Sequence, residues 1–80
     1  MNFAVFSKDG CPYCDKVKQV LELTESKFVV YNLGQHFEGK DFYGEFGEGS
    51  TFPQVVVDGN KLGGCVDTIK FLKENKIINS

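Results

Sequence analysis

The chain has 80 residues and contains no arginine and no long apolar run. Nine lysines face eleven acidic residues, which gives a net charge of −2, and neither sign forms a long block. This balance provides no strongly basic surface for nucleic acid or for an anionic membrane. No apolar stretch approaches the ~18 residues of a membrane span. Met1-Asn2 leads into strand-like residues without the features of a signal peptide. We therefore expect a cytoplasmic protein that contacts neither nucleic acid nor membrane.

Cysteine and histidine are also scarce, with three cysteines and a single histidine, His36. An odd cysteine count argues against the disulfide framework of a secreted domain. A structural zinc site needs four ligands, commonly two Cys pairs or a Cys pair with a His pair. This chain has one close pair, Cys11 and Cys14, and one distant cysteine, Cys65. We predict no metal site, an ordinary loop position for His36, and a small packed or semi-exposed thiol at Cys65.

Eighty residues suffice for one domain, residues 1–80, with a single core. The apolar pattern predicts strands over 3–6, 27–33, 54–57 and 61–63, and helices from 12 to 23 or 24, 39 to 46, and about 66 to 75. The nearly continuous apolar run over 27–33 is typical of a strand covered on both faces, which predicts a parallel βαβ unit. Asp58-Gly59-Asn60 is a hairpin signal, so the last two strands should pair antiparallel.

The most informative segment is Cys11-Pro12-Tyr13-Cys14, between the first predicted strand and helix. Two thiols at this spacing can close a disulfide, and the helix N-terminus beside them stabilises a thiolate. A disulfide around so short a loop removes little chain entropy, so it would be a poor structural staple. We predict redox chemistry, with Cys11 as the nucleophile favoured by the helix dipole and by Lys8. Cys14, one turn later, would resolve a mixed disulfide.

Three other features could belong to the same site. Thr51-Phe52-Pro53 precedes the third predicted strand, and base rates alone favour a trans bond before its proline. Gly63-Gly64 before the last helix lets the backbone approach an anion closely, although a tight turn with Asp67 as an ordinary first-turn acid is the alternative. Tyr13 either forms a wall for a bound thiol compound or covers core residues.

Three segments together resemble the dithiol glutaredoxins: Cys11-Pro12-Tyr13-Cys14, Thr51-Phe52-Pro53, and Gly63-Gly64-Cys65 with Asp67. They occur in this order and near the family's separations, and the resemblance spans essentially the whole chain. It implies an α/β, thioredoxin-like fold of order βαβαββα, in which three helices flank a four-stranded mixed sheet. The implied function is glutathione-dependent thiol–disulfide exchange through a redox-active Cys11/Cys14 disulfide. A monomer without a bound cofactor would reduce protein disulfides and glutathione mixed disulfides, with glutathione as co-substrate.

The resemblance also implies how glutathione would be held. The bond before Pro53 would be cis and leave the Phe52 backbone free to pair with the cysteine of glutathione, although the family commonly has valine where this chain has Phe52. The γ-glutamyl end would dock near Cys65 and Val66, and Asp67 would receive its ammonium group. Lys8 would meet the glycyl carboxylate, with Gln35 or Lys40 as lesser contributors. The full predicted set is Lys8, Tyr13, Thr51, Phe52, Pro53, Gly64, Cys65, Val66 and Asp67.

Two other functions stay open. A protein of this fold could be reduced directly by thioredoxin reductase and serve ribonucleotide reductase, although the Pro12-Tyr13 dipeptide and the Gly-Gly-Cys-x-Asp segment favour glutathione. The chain could instead be a non-catalytic scaffold in which two copies hold an iron–sulfur cluster through Cys11 and two glutathiones. By resemblance, Pro12 and the second cysteine of the pair argue against the scaffold.

Overall fold

A computed structural model describes residues 1–77 of the chain. Its elements are β1 (Asn2–Ser7), α1 (Pro12–Leu23), β2 (Lys27–Asn32), α2 (Gly39–Phe46), β3 (Gln54–Val57), β4 (Asn60–Gly63) and α3 (Cys65–Glu74). The strand order is β2-β1-β3-β4, with β1 and β2 parallel and the other neighbouring pairs antiparallel. This is the predicted architecture, and each bound lies within one residue of the prediction. None of these helices is long and apolar enough to cross a membrane.

One face of the sheet packs against α1 and α3. Burial alternates along β1, so that Phe3, Val5 and Ser7 point to this face. The core cluster draws on β1, β3, α1 and α3 and comprises Phe3, Val5, Val17, Leu21, Val55, Val57, Cys65 and Leu72. α1 and α3 are thereby held side by side, and their N-termini are fixed relative to the sheet.

The opposite face carries an aromatic cluster beneath α2. Phe6 points to this face, and its ring lies 5.1 to 5.5 Å from three ring centroids, those of Tyr31, Phe37 and Phe46. Phe42 of α2 is 2% exposed and stacks on Phe52 at 4.1 Å. Glycine lowers the helix propensity of α2, and the buried rings offset that cost. The same packing connects α2 to the segment that precedes β3.

β2 is an edge strand, and the prediction that both of its faces are covered is wrong because one face is partly exposed. Within residues 1–77 it pairs with β1 alone. Phe28 and Val30 pack against the core, whereas Val29 is 52% and Tyr31 40% exposed. The helix α1 packs against one face of β2, and the β-branched and aromatic residues of the other face remain partly open to solvent.

The predicted hairpin joins β3 to β4. Asp58 and Gly59 have φ angles of 48° and 84°, the left-handed conformations that a two-residue turn of this kind requires. Asp58 also accepts a hydrogen bond from the backbone N–H of Asn2 at 2.9 Å. The turn therefore fixes the register that brings Gly63 to the end of β4.

Candidate active site

Cys11 and Cys14 are joined by a disulfide where the loop after β1 enters α1. Cys11 is the N-cap of α1, with an extended backbone, and its Sγ accepts a hydrogen bond from the Cys14 backbone N–H at 3.2 Å. Pro12 occupies the first helical position, where its missing N–H costs nothing. A thiolate at Cys11 would therefore face unpaired N–H groups and the positive end of the helix dipole.

The two cysteines differ in accessibility, although neither is freely exposed. Cys11 is 7% exposed and Cys14 is fully buried. The N-cap geometry packs the Cys11 sulfur against the first turn of α1. The order of accessibility still agrees with the predicted roles, with Cys11 attacking first and Cys14 resolving.

A groove of about 350 Å³ brings together the three segments singled out in the sequence. Its lining comprises Tyr13, Thr51, Phe52, Pro53, Gln54, Gly63, Gly64, Cys65, Val66 and Asp67. Eight of the nine predicted glutathione-binding residues are among them, the exception being Lys8. The lesser candidates Gln35 and Lys40 do not line this groove.

The floor of the groove is the segment before β3. The Phe52–Pro53 bond is cis, as the resemblance implied. The Phe52 ring stacks on Phe42 and thus leans toward the aromatic cluster beneath α2. Lys8 Nζ lies 5.3 Å from the centroid of the Phe52 ring. Lys8 is therefore held beside the groove by a cation–π contact and not in its lining.

The wall opposite is the start of α3. Gly63 has a φ of 117°, and a Cβ there would collide with the Asp67 carboxylate. Gly64 is the N-cap, and its backbone N–H donates to Asp67 Oδ2 at 3.3 Å. Asp67 thus caps the helix, as the alternative interpretation expected, and it also lines the groove. The N–H groups of Cys65 and Val66 belong to the turn that a helix leaves without intrahelical partners.

Tyr13 and Val66 stand at the open side of the groove. Tyr13 is 61% exposed, and Val66 is 75% exposed. Tyr13 therefore does not cover the core, which leaves its interpretation as a wall. Val66 fits the apolar spacing of α3, but its side chain lines the groove and is not part of the core.

Cys65 and His36 have the ordinary roles that the sequence predicted. Cys65 is a free thiol, 6% exposed, in the core cluster. Burial raises the pKa of the Cys65 thiol, an effect partly offset by the positive charge of Lys16. His36 Nδ1 accepts the Asn32 backbone N–H at 2.9 Å within a loop. In residues 1–77, no three His, Cys, Asp or Glu side chains cluster to hold a metal ion.

Sequence reasoning missed two residues of the groove, Gln54 and Gly63. Gln54 Nε2 donates a hydrogen bond to the Thr51 carbonyl at 2.9 Å, and this bond connects the two sides of the segment that contains Pro53. Its position directly after Pro53 was the available signal. Gly63 was seen only as part of a flexible pair, whereas its positive φ and the nearby Asp67 make it a fixed part of the wall.

Comparison with known proteins gives one consistent family. The glutaredoxin family profile matches residues 3–62. A glutaredoxin of Vernicia fordii is 38% identical over 77 residues, covering 92% of this chain and 74% of the relative. A glutaredoxin of Vibrio cholerae is 33% identical and covers 94% of each chain.

Solved structures agree with the sequence relatives. The reduced glutaredoxin of Escherichia coli superimposes with a TM-score of 0.81 at 25% identity, over 98% of this chain and all of that one. A buckwheat glutaredoxin–glutathione complex gives a TM-score of 0.77 at 26% identity, over 94% of this chain and 71% of that one.

Proposed function

Since this chain belongs to the glutaredoxin family, it is a thiol–disulfide oxidoreductase, and we propose that it works with glutathione as its electron donor. The observation that carries the proposal is the groove beside the Cys11–Cys14 disulfide, whose lining includes eight of the nine residues that the family resemblance assigned to glutathione. A related protein, the buckwheat glutaredoxin, has been crystallised with glutathione, which supports the same ligand here.

The groove offers complementary groups for each part of glutathione. The backbone of Phe52 can pair with the central cysteine as an added strand would. The N-terminus of α3 favours the carboxylate of the γ-glutamyl end, while Asp67 would take its ammonium group. Lys8, beside Phe52, is the cation available for the glycyl carboxylate. Without arginine in the chain, this last contact lacks the stronger bidentate geometry.

Glutathione mixed disulfides need only one thiol of the pair. The Cys11 thiolate attacks the glutathione sulfur, the substrate thiolate leaves with the bond's electron pair, and it is protonated by solvent. A second glutathione thiolate then attacks the glutathione sulfur bound to Cys11. Glutathione disulfide is released and the Cys11 thiolate is restored.

Protein disulfides use both thiols. Cys11 attacks one sulfur of the substrate, and Cys14 then attacks Cys11, which frees the reduced substrate and closes the Cys11–Cys14 disulfide. Two molecules of glutathione return this disulfide to the dithiol. We place the reaction in the reducing cytoplasm, with glutathionylated proteins and disulfide-bearing enzymes such as ribonucleotide reductase as the proposed partners.

Asp67→Asn tests the glutathione site, with Asp41→Asn as its matched control. Both carboxylates cap a helix through the backbone N–H three residues earlier, at 3.3 Å for Asp67 and 3.2 Å for Asp41, but Asp41 does not line this groove. The assay follows reduction of a small glutathione mixed disulfide, coupled to glutathione reductase. We expect Asp67→Asn to raise KM roughly tenfold through a lost charge-assisted hydrogen bond, and Asp41→Asn to leave KM near its original value.

The same variants should reduce a protein disulfide at near-original rates when dithiothreitol is the donor, because that donor does not use the groove. Equal KM effects in the two variants would reject the proposed role of Asp67. Direct turnover with thioredoxin reductase and no glutathione would support the redoxin alternative. A visible charge-transfer spectrum in anaerobically purified protein would support the cluster scaffold.

A further inference from the structure

Ser7 ends β1 with a hydroxyl whose position calls for an explanation. Its side chain is fully buried, and Oγ has no hydrogen-bond partner among residues 1–77. The backbone carbonyl of Ser7 does have a partner, since it accepts a hydrogen bond from the Leu33 N–H at 2.9 Å. Buried hydroxyls without a partner are uncommon in folded proteins, and a redox or catalytic role is one of the recognised explanations for them.

The topology places Ser7 beneath the start of α1. Alternate side chains of β1, ending with Val5 and Ser7, point toward the helical layer, and α1 points Val17 and Cys14 back toward the sheet. In a βαβ unit the helix runs opposite to the strand before it, so the end of β1 lies under the first turn of α1. Ser7 is the last residue of β1 and Cys14 is the first buried residue of α1, so both lie at the same end of this layer, and both are 0% exposed.

We propose that the Ser7 hydroxyl is the hydrogen-bond donor for the Cys14 sulfur in the dithiol state. This inference rests on the Cys11/Cys14 couple of the proposed function and makes Ser7 a positioning residue that acts through Cys14. In the disulfide, the Cys14 sulfur is tied toward Cys11. Once that bond is broken, the side chain can turn about χ1 and offer its sulfur to Ser7.

The hydrogen bond from Ser7 should be strongest when the disulfide is being reduced. A thiolate reductant attacks the Cys11 sulfur and forms a mixed disulfide, while the electron pair of the Cys11–Cys14 bond leaves with Cys14 as a thiolate. A charged sulfur is a stronger acceptor than a disulfide sulfur. A second reductant thiolate then attacks the reductant sulfur bound to Cys11, which releases the reductant disulfide and the Cys11 thiolate, and solvent supplies the protons. Ser7 therefore favours the dithiol and makes Cys14 a better leaving group.

Ser7→Ala tests this through the redox equilibrium. Measured against dithiothreitol buffers, the ratio of dithiol to disulfide should fall about fivefold in Ser7→Ala, which is the change expected for the net loss of one hydrogen bond. At 29.6 mV for each tenfold change, this equals a reduction potential about 20 mV lower. Thr68→Val is the matched control, because Thr68 is equally buried but its hydroxyl already donates to the Gly64 carbonyl at 2.8 Å. The control should keep the ratio within about twofold.

Thermal unfolding of both redox forms separates this role from simple packing. Ser7→Ala should lower the Tm of the dithiol form and leave the Tm of the disulfide form equal or higher, because only the dithiol loses a hydrogen bond. Thr68→Val should lower both. An unchanged redox ratio, or equal losses of Tm in both forms of Ser7→Ala, would overturn the proposal.

An additional measurement needs no substitution. In the original chain, the Ser7 hydroxyl proton should be slow enough in exchange to be seen by NMR in the dithiol form and not in the disulfide form. Its absence from the dithiol spectrum would count against the hydrogen bond. Because dithiothreitol replaces glutathione throughout, a failure of glutathione specificity would leave these results unaffected, and the two ideas can fail separately.

Discussion

Two helices of this protein have a cysteine at or next to their first residue, and the two cysteines have different environments. Cys11 is the N-cap of α1, where its sulfur accepts a backbone N–H of the first turn and bonds to Cys14. Cys65 is the first residue of α3, and its sulfur lies in the core cluster. Burial raises the pKa of the Cys65 thiol. Proximity to a helix N-terminus is therefore not enough to activate a thiol.

The difference arises from a shift of one position relative to the cap. An N-cap residue has an extended backbone, so its side chain folds over the free N–H groups of the first turn. A residue one position later is already helical, and its side chain follows the face of the helix on which it lies. In α3 the cap is Gly64, which has no side chain and leaves the backbone open to a ligand. One helix start is thus suited to activate a sulfur, and the other is suited to bind an anion.

The largest expected effect comes from removing each sulfur in turn. Cys11→Ser should reduce both deglutathionylation and protein-disulfide reduction to the uncatalysed background, because the attacking atom is lost. Cys65→Ser should keep both rates close to those of the original chain, since Cys65 takes no part in the exchange. Initial rates with a glutathione mixed disulfide and with a protein disulfide provide the measurement.

Substantial deglutathionylation by Cys11→Ser would show that the nucleophile is a different cysteine. Loss of both activities in Cys65→Ser would mean that Cys65 contributes to the site, provided that circular dichroism shows an intact fold.

The next effect separates the two sulfurs of the pair. Cys14→Ser should keep most of the deglutathionylating activity and impair protein-disulfide reduction several-fold, because only the second reaction gains from an intramolecular resolving thiol. The two assays, run on one preparation, measure this ratio directly. If Cys14→Ser loses both activities with its fold intact, Cys14 is required for the first attack and the assigned order is wrong.

The sequence predicted the bounds of the helices and strands well, and the packing around them less well. The bounds of α2 agree because its rings recur at helical spacing despite its glycines. β2 was expected to be covered on both faces because an apolar run predicts that a strand forms, but the run does not say what packs on each of its faces. The family resemblance placed Tyr13, Phe52 and the Gly63-Gly64 pair in one site, whereas local signals alone left each of them with an ordinary structural alternative. The resemblance also suggested Gln35 and Lys40, but neither residue lines the groove. Their positions depend on long-range packing that local spacing does not encode.

A smaller effect is expected in the pH dependence of stability, and it belongs to Cys65. Burial raises its folded pKa, so the folded and unfolded chains both hold a neutral thiol below the ordinary thiol pKa, and the contribution to stability is fully present there. As pH rises further, the unfolded chain ionises first and stability falls until the folded pKa is reached. The slope is up to about 1.4 kcal/mol per pH unit.

The disulfide form isolates this effect, because Cys65 is then the free thiol. Urea unfolding between pH 7 and the lysine range should show a steeper loss of stability in the original chain than in Cys65→Ala. Lysine titration is common to both proteins and cancels in the difference. Parallel curves would show that the Cys65 thiol ionises equally easily in the folded and unfolded chains.

The smallest effects should come from the lysine that accompanies each cysteine. Lys8 lies three residues before Cys11, and the charge of Lys16 favours the thiolate of Cys65. In the dithiol form, site-resolved iodoacetamide labelling should modify Cys11 faster than Cys65 at neutral pH. Lys8→Gln should slow labelling of Cys11 alone, and Lys16→Gln should slow labelling of Cys65 alone, each by about twofold because solvent screens exposed charges. Added salt should shrink both differences. If either substitution slowed the labelling of both cysteines equally, the electrostatic surroundings of the two helix starts would not be independent. The difference in reactivity between Cys11 and Cys65 would then have to be explained by burial alone.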